Sequence, residues 1–215
     1  LGDVYKRQDV MRALGATVAV MGGSALAVSA YLHVLRPWIL HWGATPAEVA
    51  ATLPGDELLD DADGVATRAI TIHAGPEHVY PWLAQMGPAP RGGAYTYDWI
   101  DNLLGLDMHS ADHVLPQFQQ TQVGEEIALG PNVMRVEIAD PGHDFVTRSA
   151  DGSWVWAFHL EPVAGSTRLI SRNRFRVDSL PARLGMLPLE PASLVMEQKM
   201  LRGIRDRAQH LAHSA

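Results

Sequence analysis

Glu197 is the residue whose setting asks most for an explanation. It stands within an apolar helical stripe, flanked by Leu194, Met200 and Leu201. A carboxylate on such a face is costly unless it is paired. Burial raises its pKa towards general acid or base duty, while an ion pair with an arginine gives the same pattern structurally. Tyr95 and Tyr97 supply phenol hydroxyls in the ring-rich stretch PWLAQMGPAPRGGAYTYDWIDNLLG, residues 81–105. With Glu197 they form the candidate acid–base set. A third group, Asp98, Asp101, Asp107, His109, Asp112 and His113, gathers carboxylates and imidazoles. Metal-binding spacings such as H-E-x-x-H are absent from it, so solvation and capping are expected, with Ser110 as a helix cap and no metal assigned. The sequence also lacks a nucleophile elbow, a phosphate-binding loop and a dinucleotide fingerprint, and no cofactor is expected. Arg91-Gly92-Gly93 reads as a hinge.

Charge narrows the partners. The 215 residues carry a formal net charge of −7, 47% hydrophobic residues and no cysteine. An acidic chain without a basic face is a poor match for nucleic acid, and disulfides and thiol chemistry are excluded outright. Arginines cluster in one segment only. Arg168, Arg172, Arg174 and Arg176 alternate with period two, together with Ile170. They mark an exposed outer face, with contact to anionic lipid as the alternative. Leu169, Ser171, Asn173, Phe175 and Val177 then face a cavity.

Several elements must position these groups. Residues 66–73 alternate as a strand with Ile70 and Ile72 inward and Arg68 as an exception. Pro76 opens a helix bearing Val79, Trp82, Leu83 and Met86. Strand-like runs follow at 123–129, 133–139, 145–149, 153–160 and 167–177, the third closed by the turn signal Asp151-Gly152. The fourth places Trp154, Trp156, Phe158 and Leu160 on one face. A long amphipathic helix over 191–213 ends the chain. An antiparallel sheet with one apolar face needs a cover, and that helix is the available one. Where sheet and helix part, Trp82, Met86, Tyr95, Tyr97, Trp99, Trp154, Trp156, Phe158, Met200 and Leu201 are expected to line a pocket.

The amino-terminal part reads separately. Residues 1–8, LGDVYKRQ, resemble a reading frame of a transposon-end sequencing adapter and are set aside from the fold. Residues 9–36 form an apolar helix whose core, 13–32, is twenty positions without a charge. That length and the aromatic and cationic residues after it predict a single membrane anchor and membrane localisation, sidedness open. A cleaved signal peptide with secretion, or a cytoplasmic protein with a packed helix, are the alternatives. Arg36-Pro37 ends this helix, and residues 37–65, with the acidic GDELLDDADG, read as a solvated linker to a domain at 66–215.

Four segments resemble the SRPBCC superfamily, the START-like or polyketide cyclase/dehydrase group: ATRAITIHAGPEHVYPWLAQMG, RGGAYTYDWIDNLLG, VWAFHLEPVAGSTRLISRNRF and LVMEQKMLRGIRDRA. The resemblance spans roughly residues 42–211. It implies an α+β helix-grip fold, a curved antiparallel sheet wrapped around a long carboxy-terminal helix. It also implies a hydrophobic or amphipathic small molecule, lipid- or polyketide-like, as partner. A cyclase/dehydratase-type enzyme using Glu197 with Tyr95 or Tyr97 is the alternative, and a structural domain with a filled pocket is the third.

Overall fold

Alternating apolar residues build six strands, and the turns between them are set by glycine and short polar pairs. In the computed structural model, residues 28–214 are described except 131 and 178, as are their side chains except those of 180, 182 and 184. The chain divides into two compact units, Leu1–Ile39 and Leu40–Ala215. In the second, strands β1 (Gly64–Ile72), β2 (Glu126–Leu129), β3 (Asn132–Asp140), β4 (Asp144–Ser149), β5 (Trp154–Val163) and β6 (Ser166–Phe175) form one sheet. Its order is β1-β6-β5-β4-β3-β2, antiparallel throughout. A register shift between Val136 and Ile138 bends β3 against β4, as a bulge does.

The first helix of this unit, α1 (Pro46–Ala50), is capped by Thr45, which exchanges hydrogen bonds with Glu48. Helices α2 (Pro76–Ala84), α3 (Asp98–Leu103), α4 (Leu180–Met186) and α5 (Glu190–Ser214) follow. α5 lies against α2 and β1. Its Met200, Leu201, Ile204 and Ala208 are buried with Val79, Trp82, Leu83, Phe145, Phe158 and Leu169 in the main core, and its Leu194 is buried as well. This is the helix-grip architecture. The sequence-based strand boundaries shift by three residues at most, some strands running longer than the alternating pattern and others shorter.

Three expectations are corrected. Residues 37–65 are no solvated linker: the segment 44–62 is a strap across the outer face of the sheet. Leu53 packs with Ala69 and Ile170, and Leu59 with Val146, Val155 and Ala157. At Gly55, φ is +91° and a Cβ would meet Val146 Cγ1 at 2.8 Å, so only glycine lets the strap lie this close. The arginine face of β6 is accordingly covered rather than open, with Arg172 2% exposed. Membrane localisation is the third: among the described residues no helix is long and apolar enough to cross a membrane. Most of 13–32 lies outside the described residues. Residues 28–40 are helical and include His33 and Arg36. The helix runs on through Arg36-Pro37, with the Arg36 N–H donating five residues back to the Tyr31 carbonyl.

Candidate ligand cavity

Parity along β1 decides the polar centre of the inner face. Ile70 and Ile72 point to the core side, so Arg68, two residues earlier, does too. It is 1% exposed and forms an ion pair with Glu197 of α5, with Nη1 also donating to Ser193 Oγ at 3.2 Å. Glu197 is itself 6% exposed. Burial pushes its carboxyl above the usual range, against the opposing pull of Arg68 and Ser171.

β5 and β6 extend this pair into a network. Ser171 Oγ donates to Glu197 Oε1 at 2.6 Å and accepts from the indole Nε1 of Trp156 at 3.1 Å. The Trp154 indole donates to Asn173 Oδ1 at 2.9 Å, and Asn173 Nδ2 lies 3.4 Å from Glu197 Oε2. The two indoles stack, centroids 5.6 Å apart with an interplanar angle of 19°. Alternation on β5 puts both rings on the inner face, and their N–H groups find partners one strand over.

The stacked tryptophans line different spaces. Trp156, with Phe158, Met86, Met108, Met134 and Phe145, borders an apolar void of about 50 Å³. That volume admits a few waters and no organic ligand of polyketide size. Trp154 borders a larger cavity of about 280 Å³ between β1, β6 and the start of α5. Ala66, Phe175, Met186 and Leu189 give it apolar walls, and Arg68, Asn173, Glu190 and Ser193 its polar patch. The volume is close to the lower end of ordinary small-molecule sites, ~300–1,000 Å³.

The ring cluster expected to wall a single pocket is dispersed. Trp82 and Tyr95 are buried edge to face, 5.9 Å between centroids. The Tyr95 hydroxyl donates to the Trp82 carbonyl at 2.9 Å, its ring lies 4.8 Å from the Arg207 guanidinium, and burial raises its pKa. Tyr97 and Trp99 are exposed, the latter 69% open. Met200 and Leu201 are core residues. Of the ten expected ligand contacts, Met86, Trp156 and Phe158 border the small void and Trp154 the larger cavity.

Neighbouring polar residues have other duties. Ser110 caps no helix; its Oγ donates to Asp98 and accepts from the Tyr95 N–H. Asp101 accepts from Thr96, and His109 and His113 pair with Asp107 and Asp112 at the surface. Gly92 and Gly93 are not a free hinge. Gly93 exchanges backbone hydrogen bonds with Gly87, and with φ at +76° a Cβ there would meet the Ser110 backbone at 2.7 Å. Arg91 closes the same loop, donating to the Met86 carbonyl and pairing with Glu125 at 2.7 Å.

The groups that sequence reasoning missed are Arg68, Glu190 and Ser193, with Ala66, Met186 and Leu189. For Arg68 the signal was present in its parity with Ile70. For the others it was not, since the cavity exists only where the chain before α5 meets β1 and β6.

The chain has a helix-grip fold, a six-stranded antiparallel sheet closed by a long carboxy-terminal helix. Strand order and the closing helix carry that assignment. Solved structures to which the chain is similar include the KanY protein (13% identity, 68% of this chain and 97% of that one, TM-score 0.45). A Polyketide_cyc-like protein from Corynebacterium glutamicum matches with 18% identity, 70% and 90% coverage and a TM-score of 0.35. The Aha1 dimer from Colwellia psychrerythraea matches with 16% identity, 63% and 93% coverage and a TM-score of 0.37. No protein-family model matches the chain, and neither does any curated protein sequence.

Proposed function

We propose that this helix-grip domain binds a small amphipathic molecule in the cavity bordered by β1, β6 and the start of α5. The observation that carries the reading is the cavity of about 280 Å³ with apolar walls and a polar patch at one side. At ~30 Å³ of liquid volume per water-sized group it takes a ligand of roughly ten such groups. Ala66, Trp154, Phe175, Met186 and Leu189 would receive the hydrocarbon part. Burying it provides the driving force, about 0.8 kcal/mol per methylene. Asn173 and Ser193 would orient the polar end.

Binding without turnover is favoured over a cyclase-type reaction by where the acid–base candidates spend their hydrogen bonds. Glu197 meets Arg68, Ser171 and Asn173, and the Tyr95 hydroxyl meets a backbone carbonyl. Neither borders the cavity of Trp154. An acid–base pair needs its atoms within reach of the same reacting group.

Native mass spectrometry of protein purified without denaturant tests the reading. A retained small molecule that is lost in Ser193→Trp, where the indole would fill the cavity mouth, is the expected result. Identical spectra for the two proteins, both saturable by the same amphiphile, would refute it.

A further inference from the structure

The arginines on the outer face of the sheet divide by whether the fold answers them. Arg168 pairs with Glu48, Arg172 and Arg174 with Asp56, and Arg176 with Asp61, so the strap neutralises all four. Two more arginines stand on the same face, at β3 and β4. Arg148 follows the strap-covered Val146 by two residues, which gives both the same side, and Arg135 is its direct cross-strand partner. Like charges placed directly opposite on neighbouring strands are destabilising. Among the described residues neither guanidinium has a hydrogen bond or an ion pair, and Arg148 Nε is buried without a partner.

Both guanidiniums border a cleft of about 380 Å³, whose wall includes the β4–β5 turn at 150–152. Glu126, opposite Arg135 on β2, and Glu137, at the bulge of β3, border it too. Among the described residues neither carboxylate has an ion pair or a side-chain hydrogen bond. Asp151 is the remaining charged residue of the lining, and it is engaged. Its Oδ1 accepts from Ser149 Oγ at 2.6 Å and from Ser153 N at 3.0 Å. The cleft therefore holds two unanswered charges of each sign on adjacent strands, which lie ~4.8 Å apart. A simple anion would gain the guanidiniums but meet the carboxylates, and a simple cation the reverse. A molecule with both charges, set about one strand spacing apart, gains charge-assisted hydrogen bonds at each end.

We infer that this outer cleft is a second ligand site, and that it takes a small zwitterion whose carboxylate bridges Arg135 and Arg148 while its ammonium faces Glu126 and Glu137. The planar fork of a guanidinium suits a carboxylate, which can accept from both arginines at once. The site is independent of the binding proposed for the inner cavity, since the sheet separates the two.

4-Aminobutanoate, butanoate and n-butylamine share a chain length and differ in charge. Each is titrated at neutral pH and low salt into ¹⁵N-labelled protein, and binding is read from the backbone amide resonances of residues 148–152. The zwitterion is expected to shift them saturably and to bind about tenfold more tightly than either control. Arg148→Gln and Glu137→Gln should each weaken it about fivefold, because each removes one end of the match. Ser193→Trp, which fills the inner cavity, should leave it unchanged. Butanoate or butylamine binding as tightly as the zwitterion would overturn the assignment. So would an affinity unchanged in Arg148→Gln or in Glu137→Gln, an affinity lost in Ser193→Trp, or no saturable shift at all.

Discussion

Both faces of the sheet bury an arginine, and the two arginines are held in different ways. On the outer face Arg172 meets acceptors from its own strand neighbour and from the strap. Nε donates to Thr67, Nη1 to Asp56 and the Ala51 carbonyl, and Nη2 to the Glu48 and Val49 carbonyls. The five N–H donors of a guanidinium are thus matched by protein atoms in a space packed shut. On the inner face Arg68 is matched to Glu197 and Ser193, but a cavity of about 280 Å³ opens beside it. The same residue type therefore serves as a clamp in one place and as part of a cavity wall in the other. What distinguishes them is the empty volume and the side chains bordering it, rather than the ion pair.

The largest effect that should separate the faces is on folding. Arg172→Met leaves Asp56 with a lost partner and frees the strap, so the expected loss is about 3–5 kcal/mol, the usual range for breaking a buried pair. Thermal unfolding measures it. Amphiphile affinity at a temperature where the variant is folded should stay within twofold of the wild type.

Ser171→Ala comes next. It removes the hydroxyl shared by Glu197 and the Trp156 indole, leaving a buried acceptor and donor short of partners, for roughly 1–3 kcal/mol in urea unfolding. A loss as large as that of Arg172→Met would mean that the inner network is as much a structural clamp as the outer one.

The two faces should also respond to pH with opposite sign. Glu48 on the strap is held below its ordinary value of 4.5, chiefly by its hydrogen bond from Arg168. Its contribution is present above that value and is lost as pH falls through the lower folded pKa. Glu197 is pushed above 4.5 by burial. The folded state then holds the proton more tightly than the unfolded one, so stability falls as pH rises from 4.5 through the raised folded value. Stability measured from pH 3 to 8 should show a shallower acid limb in Glu48→Gln. In Glu197→Gln the decline above 4.5 should disappear. Identical profiles for the two variants would contradict the comparison.

The smallest expected effect is at Trp99. Being 69% exposed, it should tolerate Trp99→Ala within about 0.5 kcal/mol and with unchanged amphiphile binding.

That last case shows where the sequence was legible and where it was not. Period-two alternation on β5 and β6 placed Trp154, Trp156, Ser171 and Asn173 on the inner face, because side-chain parity in a strand leaves no other choice. The apolar stripe of α5 placed Glu197 among core residues for the same kind of reason. Parity says which face a residue takes, but not what lies over that face. The strap over Arg172 depends on contacts more than a hundred residues apart in sequence, so GDELLDDADG read as solvated. Tyr95, Tyr97 and Trp99 lie outside regular strands, where neighbours in sequence can point in opposite directions. Tyr95 takes φ of +58° and turns inward, while Tyr97 and Trp99 turn out. The cavity is hardest to foresee, since it is a gap between elements rather than a property of any one of them.

Methionine methyl resonances give the most direct reading of that gap. Met186 borders the cavity of Trp154, whereas Met86, Met108 and Met134 border the small void beside Trp156. Titrating methyl-labelled protein with n-decylamine should shift the Met186 resonance saturably and leave those of Met86, Met108 and Met134 in place. A saturable shift of the latter three with Met186 unmoved would contradict the assignment of the site, and no shift at any of the four would contradict ligand binding in the grip.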